Sequence, residues 1–137
     1  MSIGGFGYYG KEDGPLDTEN EIIYLGPDLN ISVGKFEFTG QYLYRKDTNP
    51  KFYSDEVEAE TNGIVGELIF SPRLDQSRFF VTALYNLVDS DMDAYDYQTA
   101  TLSGTYLIAR NLRLIAEVTR DLEYEVNRGV LGLVTAF

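Results

Sequence analysis

The sequence predicts an all-β fold, an antiparallel up-and-down β-barrel of about eight strands. Apolar and polar side chains alternate with a period of two in eight segments of the 137-residue chain. The connections between these segments alternate between short turns and long acidic loops. The last segment is an apolar strand whose edge needs a partner, and closure of a barrel would supply one.

The eight predicted strands cover residues 3–11, 21–33, 35–45, 57–71, 78–88, 95–108, 112–120 and 127–137. The alternation is clearest in 35–45 and in 99–106, where Thr and Ser occupy one face. Residues 111–126 also fit a helical stripe through Leu112, Ile115 and Leu122. We prefer a strand at 112–120, because a helix would break the alternation of turns and loops on both sides.

The long connections are 11–20, 46–56, 88–94 and 120–126, and the short ones are 34–35, 71–77 and 109–111. The long group carries thirteen carboxylates against four basic residues. With an even number of antiparallel strands, every short turn and both chain ends fall on one side, and every acidic loop falls on the other. The predicted barrel is a single domain spanning 1–137.

Composition excludes several classes of function. A net charge of -11 argues against nucleic-acid binding, since few side chains could neutralise phosphates. Without His or Cys the chain lacks the usual general base and the commonest soft metal ligands. We therefore predict no enzymatic activity and no cofactor. Residues 5–10 match G-x-G-x-x-G, but neither a preceding strand nor a following helix supports dinucleotide binding.

One acidic stretch resembles the start of a calcium-binding loop. Asp89, Asp91 and Asp93 place carboxylates at alternate positions, as such loops do. Ala94 and Ala100 stand where an EF-hand needs Gly and Glu, so an EF-hand is excluded. A weak divalent-cation site at these three aspartates is the hypothesis that remains, beside a simply solvated loop.

Membrane insertion is compatible with a mean hydropathy of -0.20, because the lipid-facing residues of a β-barrel occur only at alternate positions. Charges at the lipid midplane cost about 2–4 kcal/mol for Lys or Arg, so charged strand residues are predicted to face inward. The predicted lumen-facing residues are Asp28, Glu37, Arg45, Glu67, Arg113, Glu117 and Arg128. They would either line a water-filled pore or plug a narrow barrel with salt bridges.

Tyr and Phe number 11 and 8, and Trp is absent, so Tyr and Phe would supply the interfacial aromatic girdles. The candidates are Phe6, Tyr8, Phe36, Tyr44, Phe70, Phe79, Tyr106 and Phe137. The alternative is that these aromatic residues fill the core of a β-sandwich.

The final segment, 129–137, ends on an aromatic residue and resembles the last strand of bacterial outer-membrane β-barrels. Segments 26–45 and 95–137 are similar to phosphate-selective porins. The resemblance implies an integral porin of a Gram-negative outer membrane that lets small hydrophilic solutes and ions diffuse passively. It also implies lipid, lipopolysaccharide and the barrel-assembly machinery as partners, with Phe137 as the assembly signal. No basic ladder for phosphate is visible, so solute choice does not carry over.

Two other functions compete with the porin interpretation. One is a closed eight-stranded barrel with a structural or adhesive role, and the other is a soluble lipocalin-like binding barrel, although the Gly-x-Trp of lipocalins is absent. Met1 is followed at once by 2–6 without the charged and apolar regions of a signal peptide. Since an exported barrel needs a signal peptide, we expect this chain to be a fragment whose leader is missing. Two alternatives stay open: only the leader is missing, or earlier strands of a larger barrel are missing as well.

Overall fold

A computed structural model describes residues 1–52, 57–92 and 95–135. These residues form one antiparallel sheet in which eight strands follow each other in sequence order. The strands are β1 (Ser2–Asp13), β2 (Glu19–Val33), β3 (Phe36–Asp47), β4 (Ala59–Phe70), β5 (Phe79–Ser90), β6 (Tyr97–Ala109), β7 (Leu112–Asp121) and β8 (Asn127–Thr135). The predicted all-β, eight-strand meander is confirmed, and its strand boundaries are correct to within two residues.

The ambiguous segment is a strand. β7 pairs with β6 on one side and β8 on the other, with Leu114 opposite both Tyr106 and Leu133. Leu112, Leu114 and Val118 share a face, as the strand prediction required.

The two ends of the sheet differ. At one end, here called the loop end, connections 14–18, 48–58, 91–96 and 122–126 join the strands. At the other, the turn end, the connections are 34–35, 71–78 and 110–111. The predicted alternation of short and long connections therefore holds only in part, because 71–78 contains the 3₁₀ turn Leu74–Gln76 and is longer than 14–18, 91–96 and 122–126. Gly34 has φ of 58° at the first position of a two-residue hairpin turn, where glycine is favoured.

The sheet is open. Its terminal strands, β1 and β8, each pair with one neighbour only, and every extensive strand contact joins consecutive strands. The predicted closure of these eight strands into a barrel is therefore not found, because the curvature of the sheet does not bring β1 against β8.

The strand register is staggered. The row of cross-strand partners that begins at Ser2, at the turn end of β1, reaches Arg128 in β8, seven residues from Thr135. Seven residues are about 23 Å along a strand and seven interstrand steps are about 34 Å, which gives a tilt of about 35°. Counted from the loop ends, the stagger is ten residues and the tilt about 45°. Strands of closed β-barrels tilt by this amount.

The described residues contain almost no apolar core. Ile22 and Ala59 are the only buried hydrophobic side chains within them. The accessible surface is 9688 Å². A folded monomer of this mass exposes about 7,200 Å². The sheet thus leaves uncovered a large area that a globular domain of the same length would bury.

Candidate functional site: the polar and apolar faces of the sheet

Cross-strand pairing determines which side chains share a face. Tyr24 lies opposite Tyr8 in β1 and Arg45 in β3, and the register continues this face through all eight strands. We call it the polar face, because its centre carries small and polar side chains. These are Thr39, Gln41, Thr61, Gly63, Thr82, Asn86, Thr99, Thr101, Ser103 and Thr119.

The opposite face, called the apolar face, is layered along the strands. In β3, β4 and β5, its turn end carries aromatic residues, its middle carries glycine and aliphatic residues, and Tyr or Asn residues and then charges follow towards the loop end. Ten residues separate the turn-end aromatic from the first charge in three consecutive strands: Phe36 to Lys46, Phe70 to Glu60 and Phe79 to Asp89. Ten residues are about 33 Å along a strand, or about 25 Å after projection at a tilt near 40°, which is the height of the lipid-facing band of outer-membrane barrels.

Burial is the reverse of that in a soluble β-sheet. Every buried strand residue of the described chain lies on the polar face: Asn20, Ile22, Gly26, Asp47, Ala59, Thr99 and Asp121. Large aliphatic side chains of the apolar face are exposed, with Leu131 at 76%, Ile3 at 73% and Val118 at 61%, and on the polar face Val130 in the terminal strand is also exposed. The polar face is therefore the more enclosed side of this sheet.

The aromatic residues of the apolar face form two belts. At the turn end, the Phe36 and Phe70 rings lie 5.0 Å apart, and Phe79 lies opposite Tyr106. Towards the loop end, the Tyr42 hydroxyl donates to Asn62 Oδ1 at 2.5 Å. Such placement, with rings beside apolar neighbours and hydroxyls on polar partners, is typical of interfacial aromatic residues.

A second hydroxyl contact lies in the same belt, where Gln98 Nε2 donates to the Tyr85 hydroxyl at 2.6 Å. Of the predicted girdle residues, Tyr44 also lies on the apolar face. Phe6 and Tyr8 lie on the polar face, so their girdle prediction is wrong in this register. Phe137 falls outside the described residues.

All seven predicted lumen-facing charges lie on the polar face, because they share the parity of the Tyr24 row. They do not form one cluster. Glu37 accepts a hydrogen bond from Asn30 Nδ2 at 3.0 Å, and Arg45 and Arg128 pair with other residues. Among the described residues, the remaining four have no ion-pair partner: Asp28, Glu67, Arg113 and Glu117.

A buried polar cluster lies at the loop end of the polar face, and the sequence reasoning missed it. The Asp47 carboxylate, 3% exposed, accepts from Arg45 Nη2 at 2.8 Å, from Arg45 Nε and from Asn20 Nδ2 at 3.1 Å. The Arg45 guanidinium also stacks 5.1 Å from the Tyr24 ring centroid, and Asn20 Oδ1 accepts from the Asn49 backbone N–H at 2.9 Å. Through Asn49, the cluster ties connection 48–58 to β2.

Residues from two loop-end connections lie beside the polar face. Pro50 from connection 48–58, with Met92 and Tyr95 from connection 91–96, joins Arg45 and Ser90 in lining a pocket of about 450 Å³.

A second anchor holds connection 122–126. Asp121, buried at the end of β7, accepts from the backbone N–H groups of Glu123 at 3.2 Å and Tyr124 at 3.0 Å. Its other carboxylate oxygen lies 3.6 Å from Arg128 Nη2. Arg128 is therefore paired with Asp121, the residue that holds connection 122–126, and is not an isolated charge on the polar face.

The described residues do not support the cation site predicted at the three aspartates of 89–93. Asp93 lies outside them, Asp89 is exposed at the loop end of the apolar face, and Asp91 Oδ2 accepts from the Glu60 backbone N–H at 2.9 Å. Within 1–52, 57–92 and 95–135, no three His, Cys, Asp or Glu side chains are grouped as metal ligands.

Comparison with known proteins places the chain in no family. No family model, curated protein or solved structure matches it. In the described part of the chain, no helix has the length and apolar character needed to cross a membrane. Functional inference therefore rests on the two faces of the sheet.

Proposed function

We propose that this chain forms wall strands of a porin-type transmembrane β-barrel in a bacterial outer membrane, through which small hydrophilic solutes diffuse passively. The observation that carries the proposal is the inverted burial: polar side chains on the enclosed face, and on the exposed face an apolar band about 25 Å tall that runs from the turn-end aromatic residues to the first charges.

The same inversion argues against the soluble alternatives. A β-sandwich or lipocalin-like barrel buries its apolar face inside, against a second sheet or a ligand. Here Leu102 is 59% exposed and Val118 61% exposed on the apolar face, whereas Thr99 on the polar face is buried. Lipid would cover the apolar band and remove the excess of exposed apolar surface.

The polar face is suited to water. Its centre carries Thr, Ser, Asn and Gly side chains, interspersed with aliphatic residues such as Leu43 and Leu84. Glu67, Arg113 and Glu117 have no ion-pair partner among the described residues, and an uncompensated charge enclosed without water is strongly unfavourable. A hydrated lumen satisfies these charges, as in pores lined by charged side chains.

The first test uses the absence of native tryptophan. Val118→Trp puts a reporter in the apolar band, and Thr119→Trp puts one on the polar face one residue away. In vesicles of brominated phosphatidylcholine, we expect strong quenching of the Val118→Trp emission, and we expect iodide in the water to quench the Thr119→Trp emission instead. Equal quenching of both reporters by brominated lipid would contradict membrane insertion with this facing.

The second test measures transport. Folded protein in a planar bilayer is expected to give discrete, reproducible conductance steps. Silence from protein that passes the bromolipid test would instead favour the plugged barrel with a structural or adhesive role.

A further inference from the structure

The two terminal strands expose unprotected edges. β1 and β8 each have one edge without a strand partner. Soluble proteins protect such edges with proline, bulges or central charges. β1 contains no proline, and its charges begin only at Lys11, while the single charge of β8 is Arg128. Both central stretches, 2–10 and 129–135, are therefore free to pair.

The two edges are also complementary in direction and facing. Because the sheet has eight strands, β1 runs towards the loop end and β8 runs towards the turn end, so they can pair antiparallel. In such a pair, the exposed Ile3 of β1 and Leu131 of β8 lie on the same apolar face. The apolar band would continue across the seam without interruption.

The stagger of the sheet predicts the register of this pairing. At their turn ends, successive strands rise by one residue per step, and continuing this step from β8 to β1 places Val130 opposite Tyr8. The same register places Gly132 opposite Phe6 and Leu131 opposite Gly7. The large side chains of Phe6 and Leu131 then lie opposite glycines. No atom lies within 4 Å of the position that a Cβ on Gly132 would occupy.

From these features, we propose that a second copy of this chain pairs with both edges, β1 of each copy against β8 of the other, and closes a sixteen-stranded barrel. In one copy, β1 and β8 do not pair with each other, whereas two copies would pair both of these edges. Sixteen strands enclose an aqueous channel, and eight enclose only side chains. The inference rests on the proposed function in one respect, namely that lipid surrounds the barrel. The pairing of β1 with β8 between copies can be tested separately.

The test mixes two variants that each carry one cysteine, in a chain that has none of its own. Tyr8→Cys and Val130→Cys chains, one extended by a tag, are folded together in detergent and oxidised. Opposed residues of an antiparallel pair have Cα atoms about 4.5–5.5 Å apart, a separation that a disulfide can span. We expect a covalent dimer containing one chain of each size. Leu131→Cys is the matched control, because its side chain faces the other way, and its yield should be about tenfold lower.

Circular dichroism and heat-modifiable migration establish that each variant is folded. No cross-link between folded Tyr8→Cys and Val130→Cys chains would overturn the inference. So would a Tyr8→Cys/Val130→Cys double variant that oxidises only within single chains, since that result means a closed eight-stranded barrel. If cross-linking fails while brominated lipid still quenches Val118→Trp, the two-copy barrel is wrong and the membrane proposal stands.

Discussion

The Phe6 ring lies over Gly26, its direct partner across β1 and β2, and fills the space that a Cβ on Gly26 would need. Gly26 is buried on the polar face. This contact packs β1 against β2 on the polar face. It also explains why Phe6 is absent from the aromatic belts of the apolar face.

Gly26→Ala is expected to lower the free energy of unfolding by about 1–2 kcal/mol, because the new methyl group displaces the Phe6 ring. Urea titration of detergent-folded protein, followed by circular dichroism, measures the change. Gly66→Ala in β4 is the control, since the nearest atom to a Cβ there lies 4.0 Å away. In a Phe6→Ala background, the cost of Gly26→Ala should largely disappear, and an unchanged cost would show that the ring is not the cause.

Asp47→Ala should lower the free energy of unfolding by about 2 kcal/mol, because it leaves the hydrogen-bonding groups of Arg45 and Asn20 without their enclosed acceptor. Glu58→Ala breaks an ion pair with Lys46 at 2.9 Å, but Glu58 is exposed, so its loss should cost less than about 1 kcal/mol. The same urea titration compares the two variants. Equal losses in the free energy of unfolding would mean that the burial of Asp47 adds nothing to stability.

Leu102→Arg should reduce insertion into vesicles, since Leu102 lies in the middle of β6 on the apolar face. A charge at that depth costs about 2–4 kcal/mol. Ser103→Arg, one residue along and on the polar face, should insert as the parent chain does. Flotation of refolded protein with vesicles gives the inserted fraction. The prediction is wrong if both arginines are tolerated equally.

The open channel should prefer cations to anions. Arg45 and Arg128 are paired with aspartates, and the remaining charges of the predicted lumen set are four carboxylates and one arginine: Asp28, Glu37, Glu67, Glu117 and Arg113. Carboxylates that line a pore favour cations. A potassium chloride gradient should give a reversal potential of the cation-selective sign, and Glu67→Gln with Glu117→Gln should shift it towards zero. Glu58→Gln, a charge change in connection 48–58, should leave it almost unchanged.

The features that follow from local periodicity could be predicted from sequence. Because side chains in strands alternate and charges in lipid are costly, one common face could be predicted for Asp28, Glu67 and Glu117, and the strand register places all three on the polar face. A different regularity, the alternation of turns and loops, favours a strand over a helix at 112–120, and β7 is a strand. Whether the polar face lines a lumen stays a prediction.

Features that depend on register or curvature could not be predicted. The cluster around Asp47 needs β2 and β3 paired so that Ile22 faces Asp47, and no local pattern specifies that offset. Phe6 and Tyr8 have the aromatic character of girdle residues, and only pairing with β2 shows which way they face. Closure failed as a prediction because an even strand count permits closure without supplying the curvature it requires.

The strictly sequential pairing also has a kinetic meaning. Each strand needs only the strand before it, so β1 to β8 can assemble hairpin by hairpin, with short loops to close at each step. A seam between copies has no such connection and must wait for two chains to collide. Formation of the complete wall should therefore depend on protein concentration, whereas formation of the eight-stranded sheet should not.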